Sequence, residues 1–191
     1  MTTSPWFSAS FLAFAAVLPL SLVLSSGVSA QAAETTPAAP GGAAAIAAPK
    51  VENGYLKLGF EQLAAYPFTP PPFDPAADPK AVPPTGEEQI PALVKSWNGK
   101  KAIISGYMVP VKMDKGLVTE FLLMRNTMAC CFGTVPNMNE WVVVKMKTGV
   151  QPMMDVPVEF YGQLKVGAMF ENGYMTGLYE LEGEKMGAVQ G

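Results

Sequence analysis

Two adjacent cysteines, Cys130 and Cys131 in the stretch MACCFGTVP, are the residues of this chain best suited to chemistry. They are its only cysteines, and the chain contains no histidine. Two neighbouring thiols can pack as small hydrophobic side chains, close a vicinal disulfide, or bind a soft metal ion. The disulfide would be strained, because adjacent Cα atoms lie about 3.8 Å apart whereas ordinary disulfides need at least about 4.4 Å. A thiol-redox role is a fourth possibility.

Thioether side chains flank the cysteine pair. Met128 and Met138 could join Cys130 and Cys131 in a site for Cu(I) or Zn(II), and sulfur ligands without histidine favour Cu(I). The chain has 12 methionines, and those on strand-like patterns are expected to fill the core. The pattern therefore predicts Cys130, Cys131, Met128 and Met138 as candidate metal ligands, with the two cysteines as candidate redox residues.

Most kinds of enzyme site are missing from the sequence. Without histidine, a Cys or Ser nucleophile lacks its usual general base, and no S-x-x-K signature supplies a lysine instead. No glycine-rich phosphate-binding pattern is present. The carboxylate pairs Glu87/Glu88 and Glu180/Glu182 are interpreted as charges at a helix start and on a strand surface. The sequence therefore predicts a protein that is not an enzyme, with thiol redox as the remaining enzymatic option.

The first 30 residues are typical of a secretory signal peptide. They contain no Asp, Glu, Lys or Arg and include an apolar run of 14 residues, Phe11–Leu24, shorter than the roughly 20 that span a bilayer. Small residues in GVSAQAA predict cleavage after Ala30 or Ala32. We therefore expect a periplasmic or secreted protein with no stable membrane insertion after cleavage. The net charge of −3 and the pI near 5.0 disfavour nucleic acid as a partner, because phosphates need a basic face.

Composition divides the chain beyond the signal peptide into three parts. Residues 31–50 form an Ala/Pro-rich linker that is poor in bulky apolar side chains. Residues 51–97 form an extended segment with a short helix, and residues 98–191 form a β domain.

The extended segment contains two recognisable stretches. Eight prolines in Tyr66–Pro84 exclude a regular helix and predict extended chain that lies over the surface of the domain. The following stretch, Thr85–Gly99, predicts a short helix that ends at an Asn-Gly pair. Its buried face is expected to contain Leu93, Val94 and Trp97.

Five strand-like stretches follow, separated by turn residues. They span residues 101–111, 116–124, 140–146, 156–166 and 174–183. In the fourth stretch, Val158 and Phe160 alternate with Glu159, which predicts one buried and one solvated face. Gly106, in the middle of the first stretch, is typical of a bend or a bulge.

The strand count and the bent first strand predict a mainly β fold. We expect a small OB-like five-stranded antiparallel barrel, preceded by a short helical and extended segment. The connection KTGVQPMMD is too short for the helix that usually joins the third and fourth strands of such a barrel. A five-stranded sandwich is the alternative architecture.

Three blocks carry a resemblance to a known family. They are IPALVKSWNGKKAIISGYMVPV, VTEFLLMRNTMACCFGTVPNMNEWVVVKM and PVEFYGQLKVG, within a region from Tyr55 to Met186. Over this region the chain resembles a family of exported bacterial proteins of uncharacterised function, domain of unknown function 3299. The resemblance implies an OB-like fold and export, and it implies no established activity.

These observations lead to one functional hypothesis and two alternatives. We expect an exported OB-like domain that binds a protein partner or a soft metal ion, copper or zinc. The first alternative is a thiol-redox protein that uses Cys130 and Cys131. The second is a purely structural or interaction module.

Overall fold

The computed structural model of the chain describes residues 46–76, 80–128 and 133–189. The predicted signal peptide, most of the predicted linker and both cysteines lie outside the described residues. The described residues form the strands β1 (Lys50–Glu52), β2 (Tyr55–Leu58), β3 (Lys101–Asp114), β4 (Leu117–Met124), β5 (Trp141–Val150), β6 (Pro157–Glu171) and β7 (Tyr174–Val189), the helices α1 (Phe60–Leu63) and α2 (Ala92–Lys95), and a 3₁₀ helix (Glu87–Gln89). Within the described residues, no helix has the length and apolar character to cross a membrane.

Strands β3 to β7 close into a five-stranded barrel. β3 pairs with β4, β4 with β5, β5 with β7 and β7 with β6, and β6 returns to β3. The mainly β, OB-like five-stranded barrel predicted from the sequence is confirmed. One detail differs, because β5 and β7 run parallel while the other neighbours in the barrel are antiparallel. A closed ring with an odd number of strands cannot alternate direction throughout, so a barrel of five strands needs at least one parallel pair.

The barrel strands begin where the sequence predicts them, within one residue, but several are longer. β6 and β7 continue past the barrel as a hairpin whose turn has positive φ angles at Asn172 and Gly173. The connection between β5 and β6, residues 151–156, contains no helix, as predicted. The hairpin that joins β6 to β7 and the hairpin that joins β3 to β4 both project from the barrel.

The helix predicted over Thr85–Gly99 is interrupted. Pro91 has an extended backbone (ψ 145°), which separates the 3₁₀ helix from α2. Val94 and Trp97 are buried as expected, but Leu93 is 39% exposed, so the expectation for Leu93 is wrong. α2 is only one turn long, so its buried side contains residues three positions apart, here Val94 and Trp97. Leu93 lies on the exposed side of the turn.

Gly106 marks a close contact rather than a bulge. A Cβ atom at this position would lie 2.7 Å from the carbonyl oxygen of Met124 and 3.1 Å from the Phe60 ring. The pairing of β3 with β4 instead shifts register between residues 110 and 113. Glycine is therefore needed at position 106 because α1 and β4 approach the backbone there.

The alternating faces of β6 are only partly as predicted. Val158 and Phe160 are fully buried in the core. Glu159 was expected to be solvated, but it is only 5% exposed, so that expectation is wrong. Lys57 of β2 lies over this side of the barrel, with its Nζ atom 3.0 Å from Glu159 Oε1. Glu159 Oε1 accepts no hydrogen bond among the described residues, so the contact with Lys57 acts through charge rather than aligned geometry.

The extended segment packs on the barrel and shares its core. The contributing apolar side chains are Leu58, Phe60, Leu63, Tyr66, Phe68, Ile90, Val94 and Trp97. Tyr179 of β7 donates a buried hydrogen bond to the Leu63 carbonyl oxygen (2.8 Å), and the Tyr66 and Tyr179 hydroxyl oxygens are 2.7 Å apart. Since the single proton of Tyr179 goes to the carbonyl, Tyr66 donates to Tyr179. Burial raises the pKa of both tyrosines.

The segment also closes the outer edge of β6. Asn98 Oδ1 accepts a hydrogen bond from the Val166 amide (3.0 Å), and Glu87 Oε1 accepts one from the Ala168 amide (2.9 Å). Asn98 and Glu87 therefore bind the backbone amides to which an added strand would need to pair. The described prolines of this segment are exposed or half-buried, as predicted for chain that lies over the surface. The ring of Pro75 packs beside Gly173 at the tip of the β6–β7 hairpin.

Candidate functional site

The loop that carries the cysteine pair joins β4 to β5 and is held at its base by one ion pair. Arg125 Nη1 lies 3.0 Å from Glu140 Oε1, and the Arg125 amide donates to the Glu140 carbonyl oxygen (3.1 Å). The other carboxylate oxygen of Glu140 accepts a hydrogen bond from the Asn137 amide (2.9 Å). The neighbouring Asn139 is buried and donates to the Tyr66 carbonyl oxygen (2.7 Å). We call Arg125 and Glu140 the clamp of this loop.

The structure places the predicted metal ligands as follows. Cys130 and Cys131 lie outside the described residues. Met128 is 46% exposed and lines a groove of about 150 Å³ with Met124 and Pro136 at the foot of the loop. Met138 is half-buried against the core and does not line that groove. Within the described residues, no group of three or more His, Cys, Asp or Glu side chains is arranged to hold a metal ion.

A larger concave site lies on the outer surface of the barrel, between the two projecting hairpins. Its volume is about 820 Å³, within the range of small-molecule and peptide sites. We call it the cleft; its lining residues are Val111, Lys112, Glu120, Leu122, Trp141, Val143, Lys145, Met169, Phe170, Glu171, Met175, Thr176 and Glu180. The cleft lies on β4 and β5, the second and third strands of the barrel, between the β3–β4 and β6–β7 hairpins. OB folds bind their ligands at the same place.

The floor of the cleft is apolar and fixed in position. Leu122 and Val143 are directly paired across β4 and β5, so both side chains lie on the same face. Trp141 Nε1 donates a hydrogen bond to the Thr176 carbonyl oxygen (3.0 Å). The indole ring also packs beside Gly177, where a Cβ atom would lie 3.0 Å from Nε1. The edge of the indole ring that carries Nε1 is therefore anchored on β7, and Trp141 lines the cleft.

The cations of the cleft are paired with carboxylates. Lys112 Nζ lies 2.8 Å from Glu120 Oε2, and Lys145 Nζ lies 2.6 Å from Glu180 Oε2. The hydrogen bond to Glu120 raises the pKa of Lys112, and the charge of Glu171 on the opposite hairpin adds to this effect. Among the described residues no Lys or Arg forms an ion pair with Glu171, so the cleft carries one carboxylate more than it has cations.

Glu180 is the most strongly held carboxylate of the cleft. It is 9% exposed and binds both Lys145 and Lys165, whose Nζ lies 2.9 Å from Glu180 Oε1. Burial alone would raise the pKa of Glu180, but the hydrogen bonds from Lys145 and Lys165 outweigh burial and lower it. The interpretation of Glu180 and Glu182 as surface charges therefore holds only in part, because Glu180 joins strands β5, β6 and β7.

Another hollow, of about 640 Å³, lies between β2, α1 and β3. The cations Lys50, Lys57 and Arg125 line it; Lys57 pairs with Glu159, and Arg125 pairs with Glu140. This hollow follows the seam between the extended segment and the barrel.

Sequence reasoning did not identify the cleft. Its residues come from five strands, and each looks like an ordinary strand residue in its own stretch. One usable signal was present: the large apolar residues Val111 and Met113 lie just before and within the turn stretch KMDKG, and they are 54% and 55% exposed. Large apolar side chains that stay exposed indicate a contact surface, whereas Val118 on the same hairpin is buried in the core.

Comparison with known proteins identifies the family. DUF3299, described as a protein of unknown function, matches residues 80–188, more than half of the chain. The chain is also similar to the crystal structure of a DUF3299 family protein from Pseudomonas aeruginosa PAO1, with 31% sequence identity over 69% of this chain and 94% of that chain, at a TM-score of 0.49. None of the curated proteins compared with the chain matches it. Because the family model covers more than half of the chain, the chain belongs to the DUF3299 family.

Proposed function

We propose that this protein is an exported binding domain whose ligand occupies the cleft between the β3–β4 and β6–β7 hairpins. The observation that carries the proposal is the apolar floor of Leu122, Val143 and Trp141 in a concavity of ligand size. Export is supported by the uncharged apolar run at the N-terminus and the small residues that follow it. N-terminal sequencing of the purified protein should find Gln31 or Ala33, rather than Met1, as the first residue.

A neutral apolar dye tests the cleft without knowledge of the natural ligand. N-phenyl-1-naphthylamine fluoresces when it leaves water, so we expect saturable binding to the wild-type protein. Leu122→Glu places a carboxylate on the cleft floor and should abolish this binding. Leu93→Glu is the matched control, because Leu93 is an exposed leucine on α2 that does not line the cleft.

Both variants should keep the far-ultraviolet circular dichroism of the wild type, since neither position is fully buried. Equal dye binding by Leu122→Glu and Leu93→Glu would show that the cleft is not the apolar site. That result would overturn the proposal.

Soft-metal binding at the paired cysteines is the second candidate function. It is supported by the exposed thioether of Met128, two residues before Cys130, at the foot of the clamped loop. Cu(I) or Zn(II) would be the metal ion. Thiol redox at Cys130 and Cys131 would use the same loop.

A further inference from the structure

We propose that the occupant of the cleft is an extended apolar segment of a partner protein that places a basic side chain beside Glu171. This inference rests on the proposed function, and it adds the chemical class of the ligand. It follows from the apolar surface that continues beyond the cleft, from the charges in the cleft, and from the state of the strand edges.

The apolar surface is longer than the cleft itself. Met113 on the β3–β4 hairpin and Tyr174 on the β6–β7 hairpin are 55% and 58% exposed, and neither lines the cleft. Large exposed apolar side chains on both hairpins extend the surface beyond the enclosed volume. A compact small molecule would leave these positions in water, whereas a chain several residues long would cover them. Met169 and Met175 inside the cleft suit such a ligand, because methionine side chains adapt to different partners.

The charges of the cleft select against acidic ligands. Lys112 and Lys145 are bound to Glu120 and Glu180, so their charges are already balanced and offer an anionic ligand little net attraction. Glu171 remains as the surplus carboxylate on the rim. A phosphate backbone or a fatty-acid carboxylate would meet net negative charge, whereas a lysine or arginine of a protein segment would be attracted.

The strand edges near the cleft are already occupied, which determines how the segment would be recognised. On β7, the Thr176 carbonyl oxygen accepts a hydrogen bond from Trp141. On β6, the Val166 amide donates to Asn98 and the Ala168 amide donates to Glu87. An added strand would compete with these bonds. Recognition therefore depends on side chains packed on the cleft floor and on the charge of Glu171.

Three synthetic peptides of equal length test the inference by displacement of N-phenyl-1-naphthylamine. The first has an apolar centre and lysine at both ends, the second has the same centre with glutamate at both ends, and the third has a Ser/Thr centre with lysine ends. We expect the first to bind at least about tenfold more tightly than either of the others to the wild-type protein. Glu171→Lys should remove or reverse the preference for lysine ends, whereas Glu88→Lys, the same charge change on the 3₁₀ helix, should keep it.

The outcomes separate this inference from the proposed function. If the dye binds in the cleft but Glu171→Lys keeps the preference for lysine ends, the inference is wrong and the proposed function stands. Displacement of the dye by palmitate and by none of the peptides would likewise show a lipid site and overturn the inference. If the dye does not bind in the cleft, the proposed function fails, and this inference fails with it.

Discussion

Glu180 shows how a single carboxylate can link three strands of the barrel. It accepts hydrogen bonds from Lys145 of β5 and Lys165 of β6 while it lies on β7. Its pKa is lowered in the folded protein, so folding favours the ionised form. A carboxylate of this kind contributes stability above its unfolded pKa of 4.5, and the contribution is lost as the pH falls through the lower folded pKa.

The lowered pKa of Glu180 determines how the stability of a Glu180→Gln variant should depend on pH. At pH 7 we expect the variant to be less stable than the wild type by about 1 kcal/mol, because the lysines are partly exposed and solvent screens the pairs. Below pH 4.5 the difference should shrink, since the protonated glutamic acid resembles glutamine. Urea unfolding of both proteins between pH 3 and pH 7 measures this difference in the free energy of unfolding. A difference that stays constant over that range would contradict the prediction.

The paired cysteines make a second prediction at the residue scale. If Cys130 and Cys131 form one soft-metal site with Met128, then Cys130→Ser and Cys131→Ser should each abolish stoichiometric Cu(I) binding under reducing conditions. Met128→Ala should weaken this binding, because the exposed Met128 thioether is available as a ligand. Met138→Ala should weaken binding if Met138 is also a ligand, and it should lower stability because Met138 packs against the core.

Metal analysis and thiol titration of these four variants distinguish the remaining roles. A vicinal disulfide predicts that mild reductant releases two thiols without unfolding the barrel, because the bond constrains very little of the unfolded chain. If neither cysteine variant changes metal binding or thiol behaviour and only one is destabilised, the cysteines are inert packing residues.

At the scale of elements, the β4–β5 loop has its two ends fixed to each other. The clamp joins the residue after β4 to the residue before β5, and Asn137 and Asn139 add bonds to Glu140 and to Tyr66. Loop openings cost less free energy than global unfolding, so fixed ends limit local motion without much effect on the barrel.

Glu140→Ala should therefore loosen this loop selectively. It removes the partner of Arg125 and the acceptor of the Asn137 amide. We expect protease cleavage between residues 125 and 140 to become several times faster, with a loss of global stability of about 1 kcal/mol. Glu88→Ala is the matched control. Unchanged cleavage in Glu140→Ala would mean that the clamp does not hold the loop.

At the scale of the whole molecule, the extended segment and the barrel form one core. Leu63 and Tyr66 of the segment are buried with Tyr179 of the barrel, and their hydrogen bonds are buried as well. Disruption of this contact would leave hydroxyl and carbonyl groups buried without partners, which costs more than the bonds themselves contribute.

We therefore expect the segment and the barrel to unfold together. In a Trp141→Phe variant that begins at Gln31, Trp97 is the remaining tryptophan, and it is 2% exposed within the extended segment. Its fluorescence and the far-ultraviolet signal of the strands should change at the same temperature, as in a two-state transition. A Trp97 transition several degrees below the strand transition would show that the segment detaches first.

The sequence alone determined the strands of the barrel, because alternation and turn residues act within a few positions of each other. The starts of β3 and β7 and the burial of Val158 are examples of such local information. The uncharged apolar N-terminus and the adjacent cysteines likewise give predictions from the sequence, although both lie outside the described residues.

Only the tertiary structure decided which surfaces meet. Glu159 lies on the outward face of β6 by alternation, yet β2 covers it from about 100 residues away in the chain, and no local pattern encodes that contact. Closure of five strands required the parallel pair of β5 and β7, which is a property of the whole ring. The cleft has the same origin, because Leu122, Trp141 and Met175 come together only when the barrel is closed and both hairpins project beyond it.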